Sequence, residues 1–591
     1  MTGEPEFHAW NPGLSSRLPA AARPLVTIFN DANCRIPLPL IDERSDFCGI
    51  GSEDLAILKP ERLALHELLI RVTGDFSVPD GKVTADLGIN FRKITDAIWQ
   101  HAIQPHLGEI AKSYEDLETE LRSEIDQELE RLFVPPTPPH APPKAGFWAK
   151  LFGWPSPPAP DISPADPANA ALQFWRAEYR QSNDRRRQRV CRALARVTNN
   201  IMIRHGRLLG DREVLRALAL GLVMNDHGSV TIGQMIRPWI MECAASLGLR
   251  LLPAQAAPVI LNTKGASAAG KSTLRPRQHE LADRIGVDWA DFAIISPDIW
   301  RKYLLDYESL GDLYKYAGMC TGEEIRIIDQ KLDRYIAGKA AKGWRSHLLI
   351  DRFRFDSFAE DEEMGLRPKL LTRFGDIIYF FFVITPPHET VPRAWYRGLE
   401  FGRFKAVDDL LAHNVEAFSG MPDLFMNWAT HPSKKVYFEF LDNSVPAGET
   451  PKTVAFGTND EITILDLKCL IDADRYRKIN IAAKQSDEVY LTGEAMAPEH
   501  NLAFINRLKR EISTVNIVDP ASGEICLTIE HGRPSAAQPT AALLTASEGD
   551  VHCALASLIT TCDLAELREI QGTKAANTAM TLGQLPTALR S

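Results

Sequence analysis

The chain has 591 residues, of which 45% are hydrophobic and 24% are charged, and its formal net charge at neutral pH is −10. A chain of this length and composition is expected to fold into about three to four globular domains with ample apolar cores. The net negative charge argues against wholesale binding to nucleic acid.

The nine cysteines are scattered along the chain and form no C-x-x-C pair. An odd number without such a framework is typical of a reducing compartment, so we expect reduced thiols and no zinc site. The first residues lack a basic stretch followed by an apolar core, and the longest apolar runs, such as Ile377–Ile384, are far too short to span a bilayer. We therefore expect a cytoplasmic protein without a transmembrane segment.

The first part of the chain is predicted to be mainly helical, in two regions at 1–134 and 171–252. Apolar residues recur at spacings of three and four between Ser113 and Phe133, which predicts a long helix with acidic outer faces. The stretch at 175–197 is also read as helical and carries eight arginines. A basic run can contact nucleic acid, but pairing with the acidic helix in an antiparallel hairpin is the favoured interpretation.

A proline-rich linker at 135–170 separates these two regions. Twelve of the 39 prolines lie between Pro135 and Pro167, a density that excludes both helix and sheet. The linker contains G-F-W-A-K-L-F-G-W at 146–154, in which four of nine residues are aromatic. This insert is interpreted either as a docking motif for a partner or a membrane surface, or as an aromatic peg packed on the protein's own body.

The strongest motif lies in the centre of the chain, where Gly265, Gly270, Lys271 and Ser272 satisfy the spacing G-x-x-x-x-G-K-[ST]. An apolar run precedes it and a helix-compatible segment follows, as a phosphate-binding loop requires; the alternative is a glycine turn that merely starts a helix. Lys271 would reach the outer phosphates of ATP or GTP, and the Ser272 hydroxyl would bind Mg²⁺. The predicted nucleotide-binding residues are Gly265, Ala266, Ser267, Ala268, Ala269, Gly270, Lys271, Ser272 and Thr273.

The region 253–445 is predicted to be an α/β phosphate-loop kinase core, with a parallel five-stranded sheet flanked by helices. Short apolar strands alternate here with helices, and several are continuously apolar, as strands buried on both faces are. The predicted strands are Val259–Asn262, Phe292–Ile295, His347–Ile350, Ile377–Ile384 and Lys435–Leu441. Site residues are expected just past the carboxyl ends of these strands. The last region, 446–591, is predicted to be a small α+β extension with a tail of low charge.

Acidic residues follow the second and third predicted strands. Asp298 would accept the proton of a substrate hydroxyl as it attacks the γ-phosphate, whereas the alternative is that Asp298 or Ser296 simply caps the next helix. Asp351 would steady Mg²⁺, directly or through water. Arg352 and Arg354 follow, and their guanidinium groups suit bidentate contact with an anionic substrate, although a surface ion pair suits one of them equally well.

Three arginines follow the fourth predicted strand. Arg393 and Arg397 are four residues apart and therefore lie on one face of a helix, and Arg403 lies six residues further on, beside glycines that could act as a hinge. Small-molecule kinases place such arginines on a lid, where they neutralise charge on the transferring phosphoryl group. The three arginines are therefore predicted to act in catalysis with Lys271 and Asp298.

Taken in order, five motifs resemble the zeta toxin family of phosphate-loop kinases. They are G-A-S-A-A-G-K-S-T, S-P-D-I-W-R, Y-K-Y-A-G-M-C-T-G-E-E, L-L-I-D-R-F-R-F and T-P-P-H-E-T-V-P-R-A-W-Y-R. The resemblance covers about 258–444, one third of the chain, and includes F-L-D-N-S after the last strand. It implies a kinase that uses ATP or GTP with Mg²⁺ to phosphorylate a hydroxyl of a nucleotide sugar, UDP-N-acetylglucosamine. It also implies an antitoxin-like protein partner.

When the family's site residues are carried over by position, the resemblance implies the roles already predicted for Lys271, Ser272 and Asp298. The further roles that it implies are phosphate binding for Arg393 and either Arg397 or Arg403, and substrate binding for Arg354 and for Glu323 or Glu324. Together the motifs predict a small-molecule kinase that transfers the γ-phosphate to a substrate hydroxyl.

Two alternatives to a kinase remain. One is a phosphate-loop NTPase whose hydrolysis drives a conformational change. A GTPase would carry an N-K-x-D motif, and N-T-K-G at 262 lies in the wrong place to be one; a transporter ATPase would carry an L-S-G-G-Q-type signature, which is absent. The other alternative is a nucleotide-binding scaffold without phosphotransfer, whose helical arms contact partners.

Overall fold

The computed structural model describes residues 7–81, 83–133, 166–352, 371–538, 549–559, 568–570 and 578–590. Within these ranges the chain is a mixed α/β protein, in which a mostly helical N-terminal region precedes a large mixed sheet. The prediction of a mainly helical N-terminal region is therefore confirmed. The aromatic insert at 146–154 and Arg354 lie outside the described residues.

Nine α-helices make up the described part of the N-terminal region. They are α1 (Leu38–Cys48), α2 (Ser52–Leu55), α3 (Pro60–Asp75), α4 (Thr84–Ile98), α5 (Leu107–Phe133), α6 (Pro167–Gln181), α7 (Arg185–His205), α8 (Arg212–Val223) and α9 (Ser229–Ser246). In α3 every residue from Leu63 to Gly74 is buried. A helix buried on all faces must be surrounded, and α3 packs against α4, α5 and α9.

The acidic helix α5 packs against the basic helices α6 and α7, and the predicted pairing of their charges is confirmed. Arg186 of α7 lies 2.7 Å from Glu120 and 2.9 Å from Glu124 of α5. The basic stretch at 175–197 is divided between two helices, because three residues separate α6 from α7. The last of them, Asp184, accepts a hydrogen bond from the amide of Arg186 at 2.8 Å and so caps a new helix.

The described residues form one large sheet. Its strands are β1 (Val259–Gly265), β2 (Phe292–Ile295), β3 (His347–Asp351), β4 (Ile377–Ile384), β5 (Lys435–Asp442), β6 (Lys452–Thr458), β7 (Glu461–Ile464), β8 (Thr514–Val518), β9 (Ile525–Glu530), β10 (Arg533–Ala537) and β11 (Arg568–Glu569). The order across the sheet is β11-β10-β9-β8-β7-β6-β5-β4-β1-β3-β2, so the prediction of a five-stranded sheet is wrong. The reason is that β6 pairs antiparallel with β5, which lets the C-terminal strands continue the sheet.

The first five strands are parallel to one another and occupy one end of the sheet. They are the strands that the apolar runs predicted, although β1, β3 and β5 extend beyond their predicted ends. β1 lies between β3 and β4, and the chain passes from β1 toward β2 on one side and from β4 to β5 on the other. Such a change of direction opens a crevice at the carboxyl ends of the strands, where open α/β sheets bind ligands.

Helices flank this parallel part of the sheet. In chain order they and the later helices are α10 (Arg275–Arg284), α11 (Arg301–Leu304), α12 (Ala317–Cys320), α13 (Gly322–Ala340), α14 (Pro387–Phe401), α15 (Val407–Ala429), α16 (Leu467–Arg475), α17 (Ala503–Glu511) and α18 (Gly549–Ile559). α13 packs against α3, which joins the N-terminal region to the core. Among the helices of the described ranges, none is both long and apolar enough for a membrane span.

A buried carboxylate joins the sheet to the C-terminal segment 578–590. Glu439 of β5 is 1% exposed, and it accepts hydrogen bonds from the amides of Leu582 at 2.7 Å and Gly583 at 3.0 Å. The hydroxyl of Thr453 donates a third hydrogen bond at 2.7 Å. Burial raises the pKa of Glu439 to about 7, against the opposing effect of these three donors.

Glu439 is expected to make the stability of the protein depend on pH. Because its pKa in the folded state lies above the ordinary value of 4.5, the unfolded chain loses this proton first as the pH rises. The contribution to stability is therefore fully present below pH 4.5 and is lost as the pH rises through about 7. As the pH rises over this range, the stability of the wild type falls, whereas Glu439→Gln has no proton to lose at this position. The free energy of unfolding of Glu439→Gln, measured in urea, is therefore expected to rise by about 2–3 kcal/mol relative to that of the wild type. The exposed Glu530→Gln is the control, and parallel pH curves for the wild type and Glu439→Gln would contradict the prediction.

Candidate functional site

The loop between β1 and α10, residues 265–273, follows the carboxyl end of β1 and is shaped by two glycines. Gly270 has a φ of 89°, in the left-handed region that favours glycine. A Cβ at Gly270 would lie 2.3 Å from Nδ2 of Asn443, and one at Gly265 would lie 2.8 Å from the carbonyl oxygen of Val383. Both glycines are therefore required by the close approach of this β1–α10 loop to the ends of β4 and β5.

Polar side chains past the ends of β4 and β5 hold the β1–α10 loop in place. The carbonyl oxygen of Ala269 accepts hydrogen bonds from the Thr385 hydroxyl at 3.0 Å and from Asn443 Nδ2 at 2.7 Å. Arg393 lies behind this contact, where it donates to the backbone carbonyl of Asn443 at 2.8 Å and to the carboxylate of Glu389 at 2.7 Å. In this state the guanidinium of Arg393 supports the loop from outside.

Lys271 directs its ammonium group back onto the loop. Its Nζ donates to the carbonyl oxygens of Gly265 at 3.1 Å and Ala266 at 3.0 Å. Burial lowers the pKa of Lys271, and the nearby carboxylates of Asp351 and Asp298 oppose this effect. A cation thus lies at the loop with two acidic groups in its surroundings.

Ser272 and Asp351 meet at the carboxyl end of β3. The Ser272 hydroxyl donates to Oδ2 of Asp351 at 3.0 Å, and a guanidinium nitrogen of Arg275 lies 3.8 Å from the same oxygen. No group of three or more His, Cys, Asp or Glu side chains arranged to hold a metal occurs in the described ranges. Two adjacent oxygen ligands nevertheless suit Mg²⁺, which binds through one or two protein ligands and completes its shell with phosphates and water.

Asp298 follows β2 and is surrounded by arginines. Its carboxylate pairs with Arg403 and accepts a hydrogen bond from Arg301 Nε at 3.0 Å, while its side chain is 45% exposed. Burial among the neighbouring elements would by itself raise the pKa of the Asp298 carboxyl group. The guanidinium groups of Arg403 and Arg301 instead hold this pKa well below its usual range. Ser296 makes no capping hydrogen bond with its side chain.

Two buried polar atoms near Asp298 have no hydrogen-bond partner among the described residues. One is Nε of Arg397 on α14, and the other is the hydroxyl of Tyr307. Burial lowers the pKa of Arg397 to about 9, with a further lowering by Arg403 that Asp298 partly offsets. Burial likewise raises the pKa of Tyr307. Unsatisfied buried donors of this kind are costly, so these two groups would gain from a hydrogen-bond acceptor supplied by a ligand.

The two glutamates predicted to bind substrate differ in their surroundings. Glu324 of α13 is fully buried, and its oxygens contact Arg62 at 2.5 and 2.6 Å and His66 Nε2 at 2.7 Å. Glu323 is 48% exposed and pairs with Arg326 of its own helix at 3.0 Å. Both carboxylate oxygens of Glu324 thus bind side chains of α3. Of the two glutamates, only Glu323 faces solvent.

The arginine that comes directly after Asp351 in the chain was predicted to bind substrate, and it also has an ion-pair partner within the protein. Arg352 is almost fully buried and forms an ion pair with Asp329 of α13. Sequence reasoning assigned no role to several residues that contact the predicted site, among them Arg301 and Asn443. Arg301 lies three residues after Asp298 and hence one helical turn away, and this spacing could have identified it. Asn443 belongs to the motif F-L-D-N-S, which marked its position but not its contact with the loop.

The residues predicted to bind the phosphates and Mg²⁺ and to act in phosphoryl transfer therefore lie together at the carboxyl ends of the parallel strands. Lys271, the Ser272–Asp351 pair and Asp298 with Arg403 all lie at or just past the carboxyl ends of β1, β2 and β3. Cations, backbone amides and a hydroxyl–carboxylate pair suit a ligand that carries several negative charges.

Comparison with known proteins found no family model, no curated protein and no solved structure that matches this chain. The resemblance to the zeta toxin family thus stays a prediction from its motifs.

Proposed function

We propose that the protein is a phosphotransferase that uses ATP or GTP and Mg²⁺ to phosphorylate a hydroxyl group of a small molecule. The observation that carries this proposal is the meeting of Lys271, the Ser272–Asp351 pair and the arginine-bound Asp298 at one edge of the parallel strands. Phosphoryl transfer depends on a cation and a metal at the outer phosphates and on a base for the nucleophile, positioned together.

The β1–α10 loop would bind the phosphates of the donor nucleotide. In this loop the amide of Ala269 donates to the backbone carbonyl of Ala266 at 3.2 Å, which closes a tight turn. Amides presented by such a glycine-bounded turn suit phosphate oxygens, which nests of backbone N–H groups bind well. The Lys271 ammonium would exchange its two loop carbonyls for an outer phosphate. Mg²⁺ would be held by Ser272 and Asp351 and would neutralise charge on the same phosphates.

Asp298 would act on the acceptor. The acceptor oxygen forms a bond to the γ-phosphorus as its proton passes to Asp298, the bond to the bridging oxygen breaks, and the nucleoside diphosphate leaves. Arg397 and Arg403 would stabilise the charge on the transferring group. Because Arg403 now pairs with Asp298, a nucleotide that attracts Arg403 would also release the carboxylate for proton transfer.

The acceptor and the partner are proposed from the motif resemblance. A nucleotide sugar such as UDP-N-acetylglucosamine is the first acceptor to test, and an antitoxin-like protein is the first partner. The test is to incubate the full-length protein with γ-labelled ATP, Mg²⁺ and either this compound or a bacterial metabolite extract, and to identify the labelled product. Labelled inorganic phosphate formed without an acceptor would favour an NTPase, and nucleotide binding without either product would favour a scaffold.

Lys271→Ala is expected to lower phosphoryl transfer by about 100- to 1,000-fold, because the outer phosphates lose a preorganised cation. The measurement is the initial rate of labelled-product formation at saturating acceptor. Lys342→Ala, which removes an exposed lysine on the same core, is the matched control and is expected to keep the wild-type rate. Equal rates for Lys271→Ala and the wild type would contradict the proposed site.

A further inference from the structure

The first described segment, residues 7–17, lies against the elements that carry the lid arginines. His8 and Asn11 exchange two backbone hydrogen bonds at 3.0 Å, which closes a tight turn with Trp10 near its tip. Trp10 packs against a buried apolar cluster that includes Val391 of α14, Leu411 of α15 and Val489. The tight turn is therefore docked, through an aromatic side chain, on a cluster to which both helices that flank Arg403 contribute.

Lys315 connects this segment to α14 and to Phe404 through its buried ammonium group. Its Nζ donates to the carbonyl oxygen of Pro12 at 2.7 Å and lies 3.5 Å from the ring centroid of Phe7. The ring centroids of Phe404 and Trp395 lie 5.7 and 6.0 Å from the same nitrogen. These distances are within the range of cation–π attraction, which is strongest where the cation is shielded from water.

Phe404 transmits this contact to the site because it follows Arg403 directly in the chain. Its ring packs edge-on against Trp395 at 5.4 Å, and it lies so close to Gly398 that a Cβ there would be 2.4 Å from the ring. Phe404 is thus fixed between α14 and Lys315. The guanidinium of the preceding residue, Arg403, is the group that pairs with Asp298.

The same N-terminal segment is also fastened to α15. The Ser16 hydroxyl donates to the carboxylate of Asp408 at 2.5 Å, and the amide of Ser15 donates to the Tyr316 hydroxyl at 3.3 Å. Asp408 lies in the first turn of α15, whereas Tyr316 adjoins Lys315 in the chain. The segment therefore bridges α15 and the stretch that carries Lys315.

We propose that residues 7–17 form a clasp, and that Lys315 acts through this clasp and Phe404 as the residue that positions Arg403. This inference rests on the proposed function for its catalytic consequence, since Arg403 there stabilises the transferring phosphoryl group. Its structural part, the fixing of 402–406 by Lys315, does not depend on any reaction. Because Lys315 contacts Pro12 and aromatic rings and would act through Phe404, it is a positioning residue.

The test uses the full-length chain with Lys315→Met, which keeps the length of the side chain and removes its charge. Hydrogen exchange of the amides at 402–406 is expected to be about tenfold faster, the change that corresponds to the loss of a desolvated cation–π contact. Lys315→Arg keeps a cation among the rings and is expected to restore slow exchange. Lys342→Met is the control, and the amides of β4 serve as an internal reference for intact folding.

Kinetics of the same variants separate positioning from packing. Lys315→Met is expected to lower kcat with little change in KM for ATP, and Lys315→Arg is expected to recover kcat, because Arg403 acts on the transition state. Unchanged exchange at 402–406 in Lys315→Met would overturn the clasp. Faster exchange with unchanged kcat would overturn the positioning role. A wild-type protein that transfers no phosphate would count against the proposed function, and the exchange comparison would still decide the clasp.

Discussion

Replacing Asp298 with asparagine is expected to lower the rate of phosphoryl transfer by about 100- to 10,000-fold, because an amide cannot accept the proton of the attacking hydroxyl. Asparagine keeps the shape of the side chain and one oxygen that can accept a hydrogen bond from Arg301. Lys271 and Ser272 are untouched, so nucleotide affinity is expected to change little. The measurements are the initial rate of labelled-product formation and the affinity for ATP by calorimetry.

The control for this substitution is Asp312→Asn, which removes an exposed carboxylate from the segment that follows the site. It is expected to keep both the rate and the affinity of the wild type. Full transfer by Asp298→Asn would show that another group takes the proton. A loss of nucleotide affinity at an unchanged rate would assign Asp298 to binding instead of catalysis.

The state of Asp298 in this structure also bears on how the reaction would begin. Its carboxylate is shared between Arg301 and Arg403, and these cations hold its pKa well below the usual range. A carboxylate stabilised in this way is a weak base. In the proposed reaction Arg403 would therefore leave Asp298 before proton transfer, drawn away by the phosphate of a bound nucleotide.

The parallel part of the sheet could be predicted because its strands are short, apolar and buried on both faces. The ends of these strands were harder to place. Asn262 was the predicted end of β1, yet the strand continues to Gly265 through polar residues. Thr263 is buried there because its hydroxyl accepts a hydrogen bond from Gln278 of α10 at 2.8 Å. A polar residue ends an apolar pattern in the sequence, but a partner in the fold lets it remain inside a strand.

The complementary charges of α5 and α7 allowed one pairing between distant segments to be predicted, but most such pairings could not be. The strands after β5 are short, and nothing local indicates that β6 adds to an existing sheet edge. In the candidate site, too, some features could be predicted and others could not. Its motifs predicted that Lys271, Ser272 and Asp298 lie close together. Neither the ion pair of Asp298 with Arg403 nor the contact of Lys315 with Pro12, 303 residues away, has a signature in the sequence. Such contacts depend on which elements the fold brings together.

Glu324 illustrates this limit, because a residue predicted to meet substrate is enclosed in a polar network with α3. Burial lowers the pKa of His66 to about 4, so this imidazole is neutral at pH 7. The network then assigns its protonated Nε2 to Glu324, at 2.7 Å, and leaves Nδ1 to accept from the Lys331 ammonium at 3.1 Å. Burial alone would raise the pKa of Glu324, but Arg62 and His66 hold it well below its usual range. The carboxylate is therefore ionised and joins α13 to the N-terminal region.

Glu324→Gln is expected to lower the free energy of unfolding by about 3–5 kcal/mol, because it leaves the guanidinium of Arg62 buried without a counter-charge. The measurement is urea unfolding followed by tryptophan fluorescence, with hydrogen exchange in α3 and α13 to locate the weakened contact. Glu323→Gln changes the exposed neighbour, whose ion pair with Arg326 contributes at most about 1 kcal/mol. Since the folded-state pKa of Glu324 is depressed, its contribution is present above the ordinary value of 4.5 and is lost only as the pH falls well below it. Equal losses of stability in the two variants would show that the Arg62–Glu324 pair does not hold α13 to α3.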